Sequence, residues 1–384
     1  MGSKGHIHRP GKIAGYFMRR PIAAASTHFA NLRFVYFQEG FLMLLRLNTA
    51  LSLGFWAVSF IAIQQPAVAQ SHEPLTLLTT IQLPEIDGDF DHLAYDLKRN
   101  HLIAAAEEHH TLEVFDLKTG QHVQSIGGFK APHSIAYVPE NDELFITDGE
   151  DASCLILSAS DFHRVSRIPL RAGADAALYD LPSKRYFIGN GGREEKAKTS
   201  VVTILSVTDH RKVADVEIDG DNIEAMAVDH AHHRLFVNIR DKKQIGVVSL
   251  TSNAVVTAWT APGMNRNTPM KFDEPDQRIF IAGRTPGTFF VFDATSGSLI
   301  TTMDCVDMAD DLTWDPVLHR VYVTGSHGIS VFHQDSKDTY TQLSQMKTIG
   351  GKTSIYVPEL KKFYVVHPKA ATGDAALLIY RVNP

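Results

Sequence analysis

The sequence is dominated by a unit of about forty-two residues that occurs seven times. Each copy contains short β-rich runs separated by polar turns, and its second run supplies an anchor pair for alignment. This period is typical of a propeller, in which each copy is a four-stranded blade that buries its faces only against its neighbours. We therefore predict an all-β fold, a seven-bladed β-propeller. The anchor pairs are Leu102-Ile103, Leu144-Phe145, Tyr186-Phe187, Leu235-Phe236, Ile279-Phe280, Val321-Tyr322 and Phe363-Tyr364.

Two irregularities in the repeats predict local features. The last copy contains only three strands, the third at residues 377–380, whereas residues 75–83 precede the first blade without a blade of their own. We expect this amino-terminal strand to pair in the last blade and close the ring, because unpaired edges invite aggregation. Blade three has the longest connection between its second and third strands, and we expect residues 189–199 to form a mobile surface loop.

The first seventy residues differ from the repeats. Residues 1–42 form a basic leader, interpreted as a start-site artefact or a disordered segment. Residues 43–69 combine a basic start, an apolar run and small residues ending at Ala69, which is typical of a secretory signal peptide. An uncleaved signal anchor is the alternative, because the leader also fits the positive-inside rule. The expected domain is 70–384, periplasmic or secreted, with no membrane span after signal cleavage.

Charge and cysteine content narrow the expected partners. Residues 70–384 contain 30 basic and 42 acidic residues, a formal charge of −12. Such a surface repels phosphate backbones, so we expect no nucleic-acid binding. The partner is expected to be a small molecule or a periplasmic protein, and the chain a monomer. Cys154 and Cys305 fall in blades that do not touch, so a disulfide between them is not expected.

Register on the repeat predicts which side chains meet at one end of the central channel. Eleven positions before each anchor lie Asp91, His133, Asp175, Glu224, Thr268, Asp310 and Lys352, and ten positions before the first and sixth anchors lie His92 and Asp311. Loops between second and third strands add further polar residues at the same rim, including Glu107, Arg240 and Arg284. We expect a ligand to contact Asp91, His92, His133, Asp175, Glu224, Arg284, Asp310, Asp311 and Lys352.

Clustered carboxylates at a channel mouth need compensation. Two carboxylates about 6 Å apart repel by roughly 3 kcal/mol at an effective dielectric of 20. One interpretation is a divalent-metal site for calcium, magnesium or manganese with Asp91, Asp175, Glu224 and Asp310 as ligands. The alternative is a water-filled channel in which Lys352, Arg266 and Arg284 balance the acids. We find no nucleophile elbow, paired-cysteine motif or haem-attachment sequence.

Three anchor regions carry a family resemblance. Arg320-Val321-Tyr322-Val323-Thr324-Gly325 and its equivalents at Leu144 and Leu235 resemble the Tyr-Val-Thr-Asn repeat of the YVTN propellers, the YncE-like secreted bacterial proteins. The resemblance covers residues 75–384 and extends to Asp91-His92, Asn267-Thr268-Pro269-Met270, Asp310-Asp311 and residues 353–359. It implies a seven-bladed fold, export and a place for Asn267 in the binding site. Where the family pattern has Asn after the blade-three Asp, this chain has Ala176.

The favoured function is an exported binding or protein-interaction module that uses the channel mouth. The alternative is a metal-dependent, lactonase-like hydrolase that uses the channel carboxylates, one as general base. The sequence leaves open whether the protein is an enzyme. A quinone-cofactor oxidoreductase ranks third, because the blades lack regular Trp positions and the whole chain contains three Trp residues.

Overall fold

The structure is a computed structural model that describes residues 73–347, 352–369 and 373–384. The basic leader and the predicted signal peptide lie outside these residues. The described part of the chain forms strands and two short 3-10 helices, Gly192–Glu195 and Pro358–Leu360. None of its helices has the length and hydropathy that crossing a bilayer requires.

The strands form seven four-stranded antiparallel sheets, which confirms the predicted seven-bladed propeller. Blade one contains β2 (Leu93–Asp96), β3 (His101–Ala106), β4 (Thr111–Asp116) and β5 (His122–Ile126). Blade two contains β6 (Pro132–Val138), β7 (Glu143–Asp148), β8 (Ser153–Ser158) and β9 (Arg164–Pro169). Blade three contains β10 (Ala177–Asp180), β11 (Arg185–Gly191), β12 (Ser200–Ser206) and β13 (Arg211–Ile218).

The remaining blades follow the same plan. Blade four contains β14 (Ile223–Asp229), β15 (Arg234–Ile239), β16 (Gln244–Ser249) and β17 (Ala254–Trp259). Blade five contains β18 (Asn267–Asp273), β19 (Arg278–Arg284), β20 (Gly287–Asp293) and β21 (Leu299–Asp304). Blade six contains β22 (Ala309–Asp315), β23 (Arg320–Gly325), β24 (Gly328–Ser336) and β25 (Thr339–Lys347). The first strand of each blade contacts the first strand of the next, and blade seven contacts blade one, so the ring is closed.

Blade seven is completed by the amino-terminal strand, as predicted. It contains β26 (Thr353–Val357), β27 (Lys362–His367) and β28 (Ala375–Val382), and its outermost strand is β1 (Leu75–Leu83). β1 pairs antiparallel with β28 along nearly its whole length, with one irregularity between Leu77 and Thr79. The two ends of the domain are therefore held in one sheet, and the seventh blade has four strands like the other blades.

Aromatic residues hold neighbouring blades together. Six of the seven copies have an aromatic residue seven positions before the anchor, on the innermost strand. Trp314 of blade six packs on Phe280 of blade five with ring centroids 5.1 Å apart, and Phe272 packs on Phe236 at 5.4 Å in the same way. Offset and edge-to-face aromatic pairs add stability beyond the area they bury. The same aromatic contact is therefore made at two equivalent junctions between neighbouring blades.

The long connection of blade three makes hydrogen bonds on both of its sides, and its predicted mobility stays a prediction. Nε of Arg171 donates to Oε2 of Glu195 at 2.7 Å. Across the next junction, the backbone N–H of Arg193 donates to the carbonyl of Asp221 at 2.9 Å, and its guanidinium lies 3.2 Å from Oδ1 of the same residue. These contacts fix both sides of the loop, which sequence spacing alone does not reveal.

The two cysteines are buried and unpaired. They lie in different blade regions, Cys154 on β8 and Cys305 after β21. This agrees with the expectation that they form no mutual disulfide. Burial raises the pKa of the Cys305 thiol to about 12, so it is kept protonated and unreactive at neutral pH.

Candidate functional site

A cavity of about 760 Å³ runs along the central channel. Its lining includes all seven residues that lie eleven positions before the anchors, one from each blade. It also includes three more of the predicted ligand-contacting residues. Those ten residues are Asp91, His133, Asp175, Glu224, Thr268, Asp310, Lys352, His92, Asp311 and Arg284.

Irregular pairing at the start of the inner strands turns these side chains toward the axis. The register between first and second strands shifts between Pro132 and Ile135, between Ile223 and Met226, and between Asn267 and Met270. A bulge of this kind bends a strand and redirects its side chains. His133, Glu224 and Thr268 all lie within these shifted segments.

In blades two and four, a polar residue of the repeat motif bonds to the start of the next blade's inner strand. The Thr147 hydroxyl donates to the carbonyl of Asp175 at 3.0 Å and accepts from the N–H of Ser134 at 2.9 Å. Asn238, at the same repeat position, donates to the carbonyl of Thr268 at 3.0 Å. The Thr or Asn of the motif thus positions the backbone from which the channel residues project.

His133 is the centre of an acidic cluster formed by blades one, two and three. Its Nδ1 lies 2.7 Å from Oδ2 of Asp91, 3.8 Å from Oδ1 of Asp175 and 3.9 Å from Oε2 of Glu107. Burial lowers the pKa of an imidazole, but Asp175 and Asp91 outweigh burial and raise the pKa of His133 to about 10. His133 is therefore a cation at neutral pH. Gly149 leaves room for its ring, since a Cβ there would lie 2.9 Å from Nε2.

His92 forms a second bridge, between blades one and six. Its Nε2 lies 3.5 Å from Oδ1 of Asp91, and its Nδ1 lies 3.5 Å from Oδ1 of Asp311. Asp311 also accepts the N–H of Ser354 at 2.8 Å. Burial opposes protonation of His92, but the charges of Asp91 and Asp311 raise its pKa to about 10. Burial likewise opposes ionisation of Asp91, and His92 and His133 overcome it and hold the Asp91 pKa well below its usual range.

On the opposite side of the channel, the basic side chains are already paired with acids. Nη1 of Arg240 lies 2.5 Å from Oε1 of Glu224. The guanidinium of Arg284 pairs with Asp310, and its Nε donates to the carbonyl of Ala309 at 3.1 Å. Nζ of Lys352 lies 2.7 Å from Asp89 and 3.4 Å from Asp310. These three cations are therefore neutralised within the protein.

Asp175 and Glu107 face the cavity without an arginine or lysine partner in the part of the chain that the structure describes. Among the described residues, the one cation within ion-pair distance of either carboxylate is His133, which both share with Asp91. Burial, reinforced by Asp91, raises the pKa of Glu107 to about 7. Burial and the neighbouring Asp175 also raise the pKa of Glu224. Because carboxylates are crowded on this side, an added cation would be stabilised there.

The predicted metal ligands divide into two groups. Asp91 and Asp175 share a cluster with His133, and one ligand atom from each lies within 4.8 Å of the others. Glu224 and Asp310 are instead held by Arg240 and Arg284. Once His133 has lost its proton, the residues that could hold a metal are thus a mixed nitrogen and oxygen set, rather than the four carboxylates predicted from register.

One predicted contact residue lies apart from the cavity, and two residues outside the predicted contact set line it. Asn267 is fully buried and donates to Oδ1 of Asn238 at 2.9 Å and to the carbonyl of Gln244 at 3.0 Å, so it supports the strand junction. Glu107 and Arg240, which the repeat predicts at the rim, line the cavity. Both lie five positions after their anchors, as does Arg284, and this shared register is the signal that identifies them.

Comparison with known proteins supports the propeller fold. No family model matches the chain, and no curated protein matches it. Among solved structures, 1662 chains match. One belongs to the crystal structure of the mitotic checkpoint complex, with a TM-score of 0.66, 13% identity, and coverage of 88% of this chain and 100% of that chain. Another belongs to Kuenenia stuttgartiensis hydrazine synthase, with a TM-score of 0.63, 10% identity, and coverage of 78% and 98%. At these identities the likeness shows the fold alone, a fold that commonly serves as an interaction module.

Proposed function

We propose that this protein is an exported binding module of the YVTN-like type that takes a small, positively charged molecule at the mouth of its central channel. The observation that carries the proposal is the unequal pairing of charges. Lys352, Arg240 and Arg284 each have a carboxylate partner, whereas Asp175 and Glu107 share His133. An ammonium or guanidinium group would supply the missing positive charge through charge-assisted hydrogen bonds.

The family and the compartment are parts of the same proposal. Thr147, Asn238 and Thr324 occupy one repeat position, and each bonds to the entry of the following blade. This role explains why a YVTN-like repeat keeps Thr or Asn there. Export rests on the signal-peptide pattern in residues 43–69. Amino-terminal sequencing of the exported protein tests it, since cleavage predicts a start near Gln70 and a retained anchor predicts residues upstream of it.

Calorimetric titration with n-butylamine and guanidinium-bearing small molecules tests the ligand class. Because Asp175 contributes an accessible carboxylate, Asp175→Asn should weaken binding at least about tenfold, equivalent to about 1.4 kcal/mol. Glu217→Gln removes an exposed acid of β13 that lies outside the cavity and should leave affinity unchanged. Equal loss in both variants, or no binding of any cation by the intact protein, would contradict the proposal.

A second candidate is a metal-dependent hydrolase of lactonase type, favoured by the convergence of Asp91, His133 and Asp175. Imidazole and carboxylate donors together suit manganese, iron or zinc better than calcium, which prefers oxygen. A bound metal would polarise a substrate carbonyl, and Glu107, with its pKa raised to about 7, is placed beside the cluster as a general base. Glu107 would then accept a proton from the attacking water.

Elemental analysis followed by a lactone panel tests this candidate. A stoichiometric metal that is lost in His133→Ala, together with turnover that is lost in Glu107→Gln, would support the enzyme. Millimolar manganese or zinc should then raise the melting temperature of the intact protein by mass action. If metal ions and chelators leave the melting temperature unchanged, the metal-dependent candidate fails and the binding module remains.

A further inference from the structure

A second cavity, of about 610 Å³, opens beside the channel mouth between blades two, three and four. We call it the side groove. It shares Glu107, His133 and Asp175 with the channel, so the two spaces are continuous at the acidic cluster. A ligand bound at the mouth can therefore extend outward over blade three. The walls that continue from this cluster include Gly149 and Asn222.

The side groove carries excess negative charge along its length. Beyond Glu107 and Asp175, it is lined by Glu150 and Glu194, and neither has an ion-pair partner among the described residues. The Arg193 guanidinium also lines the groove, but it is held by Asp221. Four carboxylates without an arginine or lysine partner among the described residues thus line one space that continues from the channel mouth. They do not converge on a point, since the converging set in the described chain is Asp91, His133 and Asp175.

One uncharged polar group in the same groove lacks a hydrogen-bond partner within the described part of the protein. Oδ1 of Asn222 is buried without a partner, although the backbone carbonyl of this residue is held by the N–H of Arg240 at 3.0 Å. A buried acceptor without a donor is costly. Asn222 therefore favours a ligand that brings N–H donors.

The groove is preformed. Glu195 accepts from both Nε of Arg171 at 2.7 Å and the N–H of Ala172 at 3.2 Å, which fixes the blade-three wall. The contact between Arg193 and Asp221 fixes the opposite end of the same loop. A wall that is already ordered reduces the entropy that binding must overcome. The remaining lining includes the apolar side chains of Ala131, Ala172 and Ile223, which suit methylene groups.

We propose that the mouth and the side groove together bind a linear polyamine. One ammonium lies between Asp175 and Glu107, a following one lies near Glu150 and Glu194, and the methylene segments between them contact the apolar wall. This inference rests on the proposed function, because it assigns the substrate class of the same mouth. An extended chain of separated positive charges matches separated carboxylates, whereas a single ion can meet only one end.

Calorimetric titration in chelator and low salt tests the inference with three probes: n-butylamine, spermidine and hexaamminecobalt(III). Spermidine and the cobalt complex have the same charge, but only spermidine is extended. The intact protein should bind spermidine at least about tenfold more tightly than n-butylamine. The double variant Glu150→Gln, Glu194→Gln should remove most of that gain while the affinity for n-butylamine stays unchanged. Its melting temperature should match that of the intact protein, because both residues are exposed.

The controls separate this inference from the proposed function. Glu217→Gln should leave all three affinities unchanged, and the double variant should affect the compact cobalt complex far less than spermidine. Equal losses for both trivalent probes would mean general charge attraction and overturn the inference. If spermidine binds no more tightly than n-butylamine, the side groove is not part of the site, but the cation-binding mouth stands. If neither amine and no guanidinium-bearing molecule binds, both proposals fail.

Discussion

Nδ1 of His133 lies 2.7 Å from Oδ2 of Asp91, although the two residues are 42 positions apart in the chain. This separation equals one repeat, so the two residues hold equivalent positions in neighbouring blades and meet near the axis. The same contact makes the histidine an internal cation at neutral pH. It therefore links the architecture of the ring to the charge state of the channel mouth.

Stability should fall as pH rises from about 7 to 9. The pKa values of His133 and His92 are raised to about 10 in the folded protein, against about 6.5 in an unfolded chain. Their contribution is fully present below about pH 6.5 and is lost as pH rises toward 10, by at most about 1.4 kcal/mol per pH unit for each histidine. Solvent screening reduces the part from His92, whose side chain is 32% exposed.

Urea unfolding at pH 7, 8 and 9 in the presence of chelator measures this effect. His133→Asn should have a shallower pH dependence than the intact protein, because one of the two titrating cations is gone. Curves that run parallel for the two proteins would contradict the assigned role of His133.

Breaking the ion pair between Arg284 and Asp310 should destabilise the protein by about 3 kcal/mol, because the buried Asp310 carboxylate then has, among the described residues, only Lys352 as a counter-charge. Both side chains are at most 12% exposed, and Lys352, at 3.4 Å, compensates Asp310 only in part. Arg284→Met is the variant, and the free energy of unfolding in urea is the measurement. The double variant Arg284→Met, Asp310→Leu should lose less than the sum of the single changes.

The matched control is Arg211→Met, which removes an arginine from an exposed pair with Asp209. Exposed pairs contribute at most about 1 kcal/mol. Strict additivity of the Arg284 and Asp310 changes would mean that the two residues are not coupled.

Removing the amino-terminal strand should lower the melting temperature sharply, because blade seven then loses its outermost strand. Deletion of residues 71–83 tests this directly. A point change gives a finer test: Leu83→Asp places a carboxylate at a position that is 4% exposed and should destabilise by more than about 3 kcal/mol. Leu78→Asp, on the same strand at 47% exposure, is the control and should have little effect. A melting temperature unaffected by the deletion would mean that β1 is a frayed terminus.

The sequence determined the architecture and the identity of the residues at the channel mouth. Seven equal repeats, each unable to bury its faces alone, specify seven blades, and equal register specifies that Asp91, His133 and Asp175 reach the same end of the axis. The unpaired strand at Leu75–Leu83 likewise specified the closure of the ring. These inferences succeed because the period of a propeller converts position along the chain into position around a circle.

The tertiary structure decided which charges pair. Register predicted the same role for the carboxylates of all four blades. In the structure, Arg240 pairs with Glu224 and Arg284 pairs with Asp310. Asp91 and Asp175 instead lie beside His133. The structure also shows that the Asn267 side chain points toward a junction between strands, where it bonds to Asn238. The blade-three loop bonds to Arg171 through Glu195. Such choices depend on separations of 3 to 4 Å between side chains on different blades, where bulges and rotamers shift atoms by similar distances. The repeat brings the seven ring residues to one end of the channel, and side-chain packing decides which of their carboxylates remain available to a ligand.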